Sequence, residues 1–498
     1  GMLSFVIAFI LVLIYMVLYY NRAGWIADIA LITNILFIFG VLASLGAVLT
    51  LPGIAGIVLT LGMAVDANVI IYERIKEELR LGKGVRLAIT DGYKNAYSAI
   101  IDGNVTTLLT AIVLYIFGSG PIQGFATTLI IGLLTSLFTS IFISRLIFTK
   151  LLDNNKAIKF SNSKTENFLS NTNFDFIGKR KIAYIFSGVL IVFGLGSLIT
   201  KGLSYGVDFS GGRSYVIRFD DNVNTNDIRK ALTASFGSAP EVKTFGPDRQ
   251  VKVTTRFMID EEGDNVDEII QGKLFDALKP FYKKTINYQQ FTSTDGENAL
   301  IGILSLQKVG PTVVDEIVRG AVLAIFFALL IILGYITLRF KKWQYGVGGV
   351  ISLTHDALVT LGLFSLFDGI LPFSMEIDQA FIAAILTIIG YSINDTVIIF
   401  DRIRENMGLH KKASLKDNMN HAMNSTLGRT MNTAGTTLIV LLAIFILGGE
   451  IIRGFTFALL IGIAIGTYSS VFNAAPVAYD LLGGDKNKEL ADKIIKKI

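Results

Sequence analysis

The chain has no cysteine and only three histidines. Disulfides and thiolate metal sites are therefore excluded, and the histidines lack the spacing of a metal centre. No glycine-rich Walker loop is present, so the sequence offers no nucleotide site, and no catalytic constellation stands out either. Charge is scarce too: Asp, Glu, Lys and Arg together make up 17% of the residues. The net charge of +5 comes from Lys and Arg clustered in a few stretches rather than spread over a basic face, so no nucleic-acid partner is implied.

What fills the chain instead is apolar. Hydrophobic residues are 52% of the 498 and the mean hydropathy is +0.57, which marks an integral membrane protein. Apolar runs near 2–20, 27–50, 53–72, 104–118, 124–148, 182–200, 320–339, 345–367, 379–400, 433–448 and 454–479 are long enough to cross about 30 Å of hydrocarbon, which predicts about eleven transmembrane helices. The first run lacks a basic start and a small-residue cleavage site, and it exits through Tyr19, Tyr20, Asn21 and Arg22. That exit suits an interfacial belt better than a signal peptide. Gly1 before Met2 resembles a cloning remnant, and the chain opens inside an apolar run, so an upstream segment is expected.

The loops 73–103 and 401–433 carry about six Lys or Arg each, and Arg339 to Lys342 and the tail from Lys486 to Lys497 add more. Leu51 to Gly53, Gly118 to Pro121 and 367–378 carry none. The basic stretches should therefore face the cytoplasm. Alternation then divides the chain into a transmembrane half at 1–150, a cytoplasmic linker at 151–181, a helix at 182–201, an external insert at 202–318, further helices at 319–481 and a basic cytoplasmic tail at 482–498. Within the insert a strand over Arg213–Phe219, a helix over Thr225–Phe236, strands around Glu241–Phe245 and Gln250–Arg256, a helix over Val266–Phe281 and a strand near Ala299–Leu306 follow the order βαββαβ. That order is a ferredoxin-like α+β unit. Its acidic turn at 260–268 reads as a solvated face. The fold class is thus an all-α polytopic membrane bundle bearing one ferredoxin-like extracytoplasmic domain.

The bundle is duplicated. Gly62 to Ile75 and Gly390 to Ile403 read almost alike, and Thr106 to Gly118 and Gly124 to Gly132 match Thr436 to Gly448 and Gly454 to Gly462. Each copy places a carboxylate, Asp66 or Asp395, inside an apolar helix, where insertion of a charge costs about 2.5–3.5 kcal/mol. Asp66 lies roughly 12 Å along its helix from the basic end at Arg74, too deep for easy solvation. Such a group can load and release a proton if burial and a nearby cation pull against each other. The alternative is a carboxylate hydrogen-bonded to neighbouring Thr or Asn that merely holds helices together.

The copies are not equivalent, since Asp66 aligns with Asn394 and Ala67 with Asp395, a turn of about 100° around the helix. Only the second half adds His355, Asp356 and Arg429. Arg429 is either a positive-inside anchor or the cation that keeps Asp395 ionised. Asp356 either supports the same relay or only contacts His355. Glu73-Arg74 and Asp401-Arg402 read as local ion pairs at the cytoplasmic ends, and most repeated glycines as packing positions.

Leu49 to Gly56, Gly62 to Asn68 and Glu73 to Glu78 resemble SecD. Gly206 to Gly212, Val309 to Thr312, His355-Asp356, Ser392 to Thr396, Asp401 to Asn406 and Gly466 to Ser470 resemble SecF. The chain is therefore similar to fused SecD/SecF protein-export proteins of the resistance-nodulation-division superfamily, without that family's first SecD helix and large SecD external domain. The resemblance implies a component driven by the proton motive force that draws preproteins from the SecYEG channel after the SecA motor, in the bacterial inner membrane, with YajC as a further partner. It implies H⁺ as coupling ion, Na⁺ being the other choice, with no cofactor, and it ties proton passage to Asp66, Asp395 and Arg429, with Asp356, His355, Asn394 and Thr396 as support. Two rivals remain: a proton-driven exporter of small molecules or lipids, for which the single small insert is poorly suited, and a scaffold that stabilises the translocon without transporting anything.

Overall fold

The apolar runs form helices, several of which, such as Leu51–Arg80, Val85–Phe117, Gln379–Leu409 and Leu415–Leu447, extend well beyond them. This computed structural model describes residues 2–47, 50–154, 156–169, 172–259, 261, 265–293 and 301–484. The first half contains α1 (Met2–Tyr20), α2 (Arg22–Ser44), α3 (Leu51–Arg80), α4 (Val85–Phe117), α5 (Pro121–Phe138) and α6 (Ser144–Asp153). After the linker, α7 (Arg180–Thr200) leads to the short α8 (Val207–Ser210) and the external domain of β1 (Gly212–Arg218), α9 (Thr225–Phe236), β2 (Glu241–Thr244), β3 (Gln250–Thr255), α10 (Val266–Leu278), α11 (Tyr288–Thr292) and β4 (Gly302–Val309). The chain then returns through α12 (Pro311–Phe340), α13 (Trp343–Phe367), α14 (Gln379–Leu409), α15 (Leu415–Leu447), α16 (Glu450–Ser469) and α17 (Ala475–Leu481). Among the described residues eleven helical spans are long and apolar enough to cross a membrane, so this is a multi-pass membrane protein.

The structure differs from the sequence reading at three places. The basic stretches 73–103 and 401–433 are mainly helix, because α3 runs on to Arg80, α4 starts at Val85, and α14 and α15 are broken only between Leu409 and Leu415. Long charged side chains are good helix formers and tolerate helix beyond the apolar layer. The runs at 124–148 and 454–479 are interrupted by π-helical turns, Thr139–Ile143 and Ser470–Ala474, at corresponding places in the two halves. The expected strand from Ala299 is instead β4, which starts at Gly302 and runs on to Val309. Residues 299 and 300, most of the acidic turn and the basic tail from Lys486 lie outside the described residues.

In the external domain the strands lie in the order β2-β3-β1-β4 with antiparallel neighbours, which is the ferredoxin-like arrangement expected. Ile228, Leu232 and Phe236 of α9 join Ile270, Leu274 and Leu278 of α10 in covering Tyr215, Ile217, Val251 and Val253. The apolar period of 3.6 on the helices thus meets the period of 2 on the strands.

The two repeat helices sit at the centre of the bundle: 89% of the apolar window of α3 and 89% of that of α14 is buried, against 28% for α1 and 22% for α7. Glycine sets their approach to the opposite half. A Cβ on Gly62 would lie 3.1 Å from Thr437, and one on Gly390 would lie 2.4 Å from Oγ1 of Thr110. Each half therefore lays a repeat glycine against a threonine-bearing helix of the other, which produces the seam between them.

Candidate functional site at the seam

Asp66 from α3, Asp395 from α14 and Arg429 from α15 meet at this seam. Their exposures are 4%, 3% and 9%, so all three are removed from bulk solvent in the middle of a membrane protein. Asp66 is within electrostatic reach of both Asp395 and Arg429, and Asp395 is within reach of Arg429. Neither oxygen of Asp66, nor Oδ2 of Asp395, nor Nε or Nη2 of Arg429 has a hydrogen-bond partner in the protein. Asp66 therefore does not staple helices through Thr or Asn. The one-residue offset between the copies is absorbed by the packing, because α14 turns Asp395 toward α3 and α15 while the aligned Asn394 takes another direction.

Asn394 points at α4, where its Oδ1 would lie 1.7 Å from a Cβ on Gly103. Only glycine leaves that space. Its Oδ1 is buried without a partner. Thr396 makes no hydrogen bond to Asp395: its hydroxyl donates to Ser470 Oγ at 2.9 Å, and Ser470 donates to the carbonyl of Ser392 at 3.1 Å. Asp356 accepts from Ser392 Oγ at 2.7 Å and lies 3.0 Å from His355 Nδ1. His355, Asp356 and Thr396 thus form a second polar network with α16 and its π turn, one that makes no hydrogen bond to Asp66.

Several partners escaped the sequence reading. Tyr391, within electrostatic reach of both acids, donates to Thr433 O and Thr437 Oγ1, each at 3.2 Å. At the basic end, Arg74 contacts Glu77 at 2.9 Å and Glu405 at 2.9 Å, while Arg402 contacts Glu405 at 3.0 Å and Glu77 at 3.1 Å. The expected Glu73-Arg74 and Asp401-Arg402 pairs do not form. Glu73 pairs with Lys76 and Asp401 with Arg404, because residues three apart share a helix face and adjacent ones do not. The equal spacing of Arg74/Arg402 and Glu77/Glu405 in the repeat was the signal for this quartet. Asp102 accepts from Arg339 Nε at 2.7 Å and from Tyr335 at 2.9 Å, joining α4 to α12. A cavity of about 40 Å³, whose lining includes Arg74, Glu77, Arg402 and Thr426, reaches Arg429 from this basic end.

The opposite end of α14 carries the external domain. Asp378 caps α14 by accepting from the Phe381 amide at 2.8 Å, and Asp208 accepts from the Gln379 amide at 3.1 Å and from Gln307 Nε2 at 2.8 Å. Lys252 of β3 contacts Glu376 at 2.5 Å. Burial raises the pKa of Asp378 to about 6, against the pull of the Phe381 amide and with Asp208 adding to the rise. Burial also raises that of Asp208. The helix that holds Asp395 is thus tied to the external domain through its first turn.

Comparison with known proteins places these features in a family. The family described as "Protein export membrane protein SecD/SecF, C-terminal" matches residues 1–154 and 289–483, and the SecD/SecF GG motif matches 196–223. The protein translocase subunit SecF of Rhodothermus marinus is 46% identical over 62% of this chain and 94% of its own length. SecDF of Bacillus subtilis is 34% identical over 98% of this chain but only 64% of its own length. The crystal structure of SecDF from Thermus thermophilus, titled a translocon-associated membrane protein, superposes with a TM-score of 0.84 at 34% identity, covering 97% of this chain and 62% of that one. The chain therefore spans less than two thirds of the fused relatives it matches.

Proposed function

Because the chain belongs to the SecD/SecF protein-export membrane protein family, we propose that it couples the proton motive force to preprotein translocation and release on the outer side of a bacterial inner membrane. The observation that carries this reading is the convergence of Asp66, Asp395 and Arg429 at the seam, buried and short of hydrogen-bond partners. A carboxylate with no protein partner in a buried site gains by taking up a proton, and an arginine close by but not paired to it favours the proton's release. Proton occupancy then alters the charge balance between the halves and shifts their packing. H⁺ is the coupling ion in this reading, and no cofactor or enzymatic step enters it.

The basic ends with Arg74 and Arg402 face the cytoplasm, and the ferredoxin-like domain faces outward. A shift at Asp395 travels along α14 to Asp378 and Gln379, and from there through Asp208 and Lys252 to that domain. Each charge that crosses 100 mV supplies about 2.3 kcal/mol, enough to bias a domain swing but not to unfold a substrate in one step. Work on a preprotein is therefore done in repeated small cycles, alongside SecYEG, SecA and YajC.

The test is ion flux and export measured together. Membrane vesicles with the wild-type chain should take up H⁺ under an imposed gradient and export preprotein faster with that gradient, while Asp395→Asn should do neither. Gradient-dependent export that survives Asp395→Asn, or that follows a Na⁺ gradient alone, would defeat the proton assignment.

A further inference from the structure

The linker is strapped to both halves of the bundle directly beneath Arg429. On the first half, Asn162 Nδ2 donates to Leu18 O at 2.8 Å, Thr165 Oγ1 to Tyr19 O at 2.8 Å, and Lys76 Nζ to Thr165 O at 3.1 Å. On the second half, Asn424 both accepts from the Phe174 amide and donates to the Phe174 carbonyl, each at 2.9 Å, and Asn420 accepts from the Ile177 amide at 3.0 Å. Between these anchor groups, Phe168 and Leu169 line the cavity that reaches Arg429. The linker backbone lies so close there that a Cβ on Gly428 would come within 3.0 Å of the Phe168 carbonyl. Leu169 has φ +53°, a left-handed conformation that a leucine holds only where its surroundings enforce it.

The geometry points to Phe168 and Leu169 as the inner gate of the ion path, opened and closed by relative movement of the halves. A strap fixed to α1 and α3 on one side and to α15 on the other cannot keep both sets of bonds when the seam shifts. Phe168 and Leu169, next to the first-half anchors, move with it. In the present arrangement the cavity behind them, about 40 Å³, has room for ordered water and is lined in part by Arg429, whose Nε and Nη2 are buried without a partner. Lifting the strap connects that guanidinium, and through it the two acids, to the cytoplasm. The ion path is part of the proposed function, but the closure of the cavity by the linker is tested separately from it.

The absence of native cysteine allows a single reporter. Thr426→Cys places a thiol in the cavity lining, and its reaction with a water-soluble maleimide is followed in inverted membrane vesicles. Phe168→Ala, and separately Leu169→Gly, which suits the left-handed backbone while removing the side chain, should each speed labelling by about tenfold or more. A second reporter, Ala383→Cys in the core of α14, should stay unlabelled in both variants as a check that the fold is kept. Equal labelling of Cys at 426 in parent and variants overturns the gate. H⁺ leak through the same vesicles should rise in both variants and vanish on adding Asp395→Asn. Faster labelling without any Asp395-dependent leak would keep the gate and defeat the proton reading.

Discussion

Arg74 and Glu405, 331 positions apart, contact each other at 2.9 Å across the seam, and the repeat-related pair Arg402 and Glu77 returns the contact at 3.1 Å. The quartet closes the basic end of the same interface that holds the two buried acids. Each arginine bridges one glutamate of its own helix and one of the other.

Removing one member leaves the rest partly unpaired. Arg74→Ala should lower stability by about 1–2 kcal/mol, because hydrogen bonds to charged groups contribute more than neutral ones while partial exposure of Glu405 screens the pair. A double-mutant cycle with Glu405→Ala, read by thermal unfolding in detergent, should yield a coupling of about 0.5–1 kcal/mol. A coupling of zero would make the quartet incidental.

Gly390 and Gly62 make different demands on their neighbours. A Cβ at Gly390 would meet Thr110 Oγ1 at 2.4 Å, whereas one at Gly62 would meet Thr437 at 3.1 Å. Gly390→Ala should therefore cost about 1–3 kcal/mol as overpacking, and Gly62→Ala less. Adding Thr110→Ala should recover much of the loss at Gly390. Melting temperatures of the three variants decide this, and equal losses at the two glycines would contradict it.

His355 and Asp356 on α13 are joined to α14 through Ser392 and make no hydrogen bond to Asp66. His355→Ala should accordingly slow gradient-driven export less than Asp395→Asn, which should abolish it while leaving the melting temperature close to that of the parent. An export assay with both variants in one membrane preparation checks the order. Equal loss would make the second network part of the relay.

Asp378 supplies a pH dependence at the external junction. With its folded pKa raised to about 6 by burial, the docked state binds a proton that the undocked state has already lost. Docking is therefore favoured at low pH and weakened as pH rises from about 4 through about 6. Amide protection factors at Gly206 and Ile377, which bridge the domain to the bundle at 2.9 and 2.7 Å, should fall over that window. Asp378→Asn keeps the helix cap and should flatten the fall. An unchanged profile in that variant would assign the effect to another group.

Much of the design was legible in the chain itself. Hydropathy reveals the spans because a bilayer admits only apolar, internally bonded helices. The near-identical segments around Asp66 and Asp395 reveal the duplication, and alternating apolar residues with turn signals reveal the ferredoxin-like unit. The linker's grip on Leu18, Tyr19 and Asn424 was not legible, since its Asn, Ser and Lys residues read as any polar connection does. Local patterning also suggested that Glu73 would pair with Arg74.

Sequence alone determined that this is a duplicated membrane bundle with an acid buried in each half, because burial in hydrocarbon is a property of composition along each helix. The tertiary structure decided that the offset acids converge on Arg429, that Arg74 reaches Glu405 rather than Glu73, and that α14 ends in the junction with the external domain. Those are contacts between residues far apart in the chain. They depend on how glycines such as Gly62 and Gly390 let the halves approach and on which helix face that approach turns inward, and neither is recorded in any local pattern.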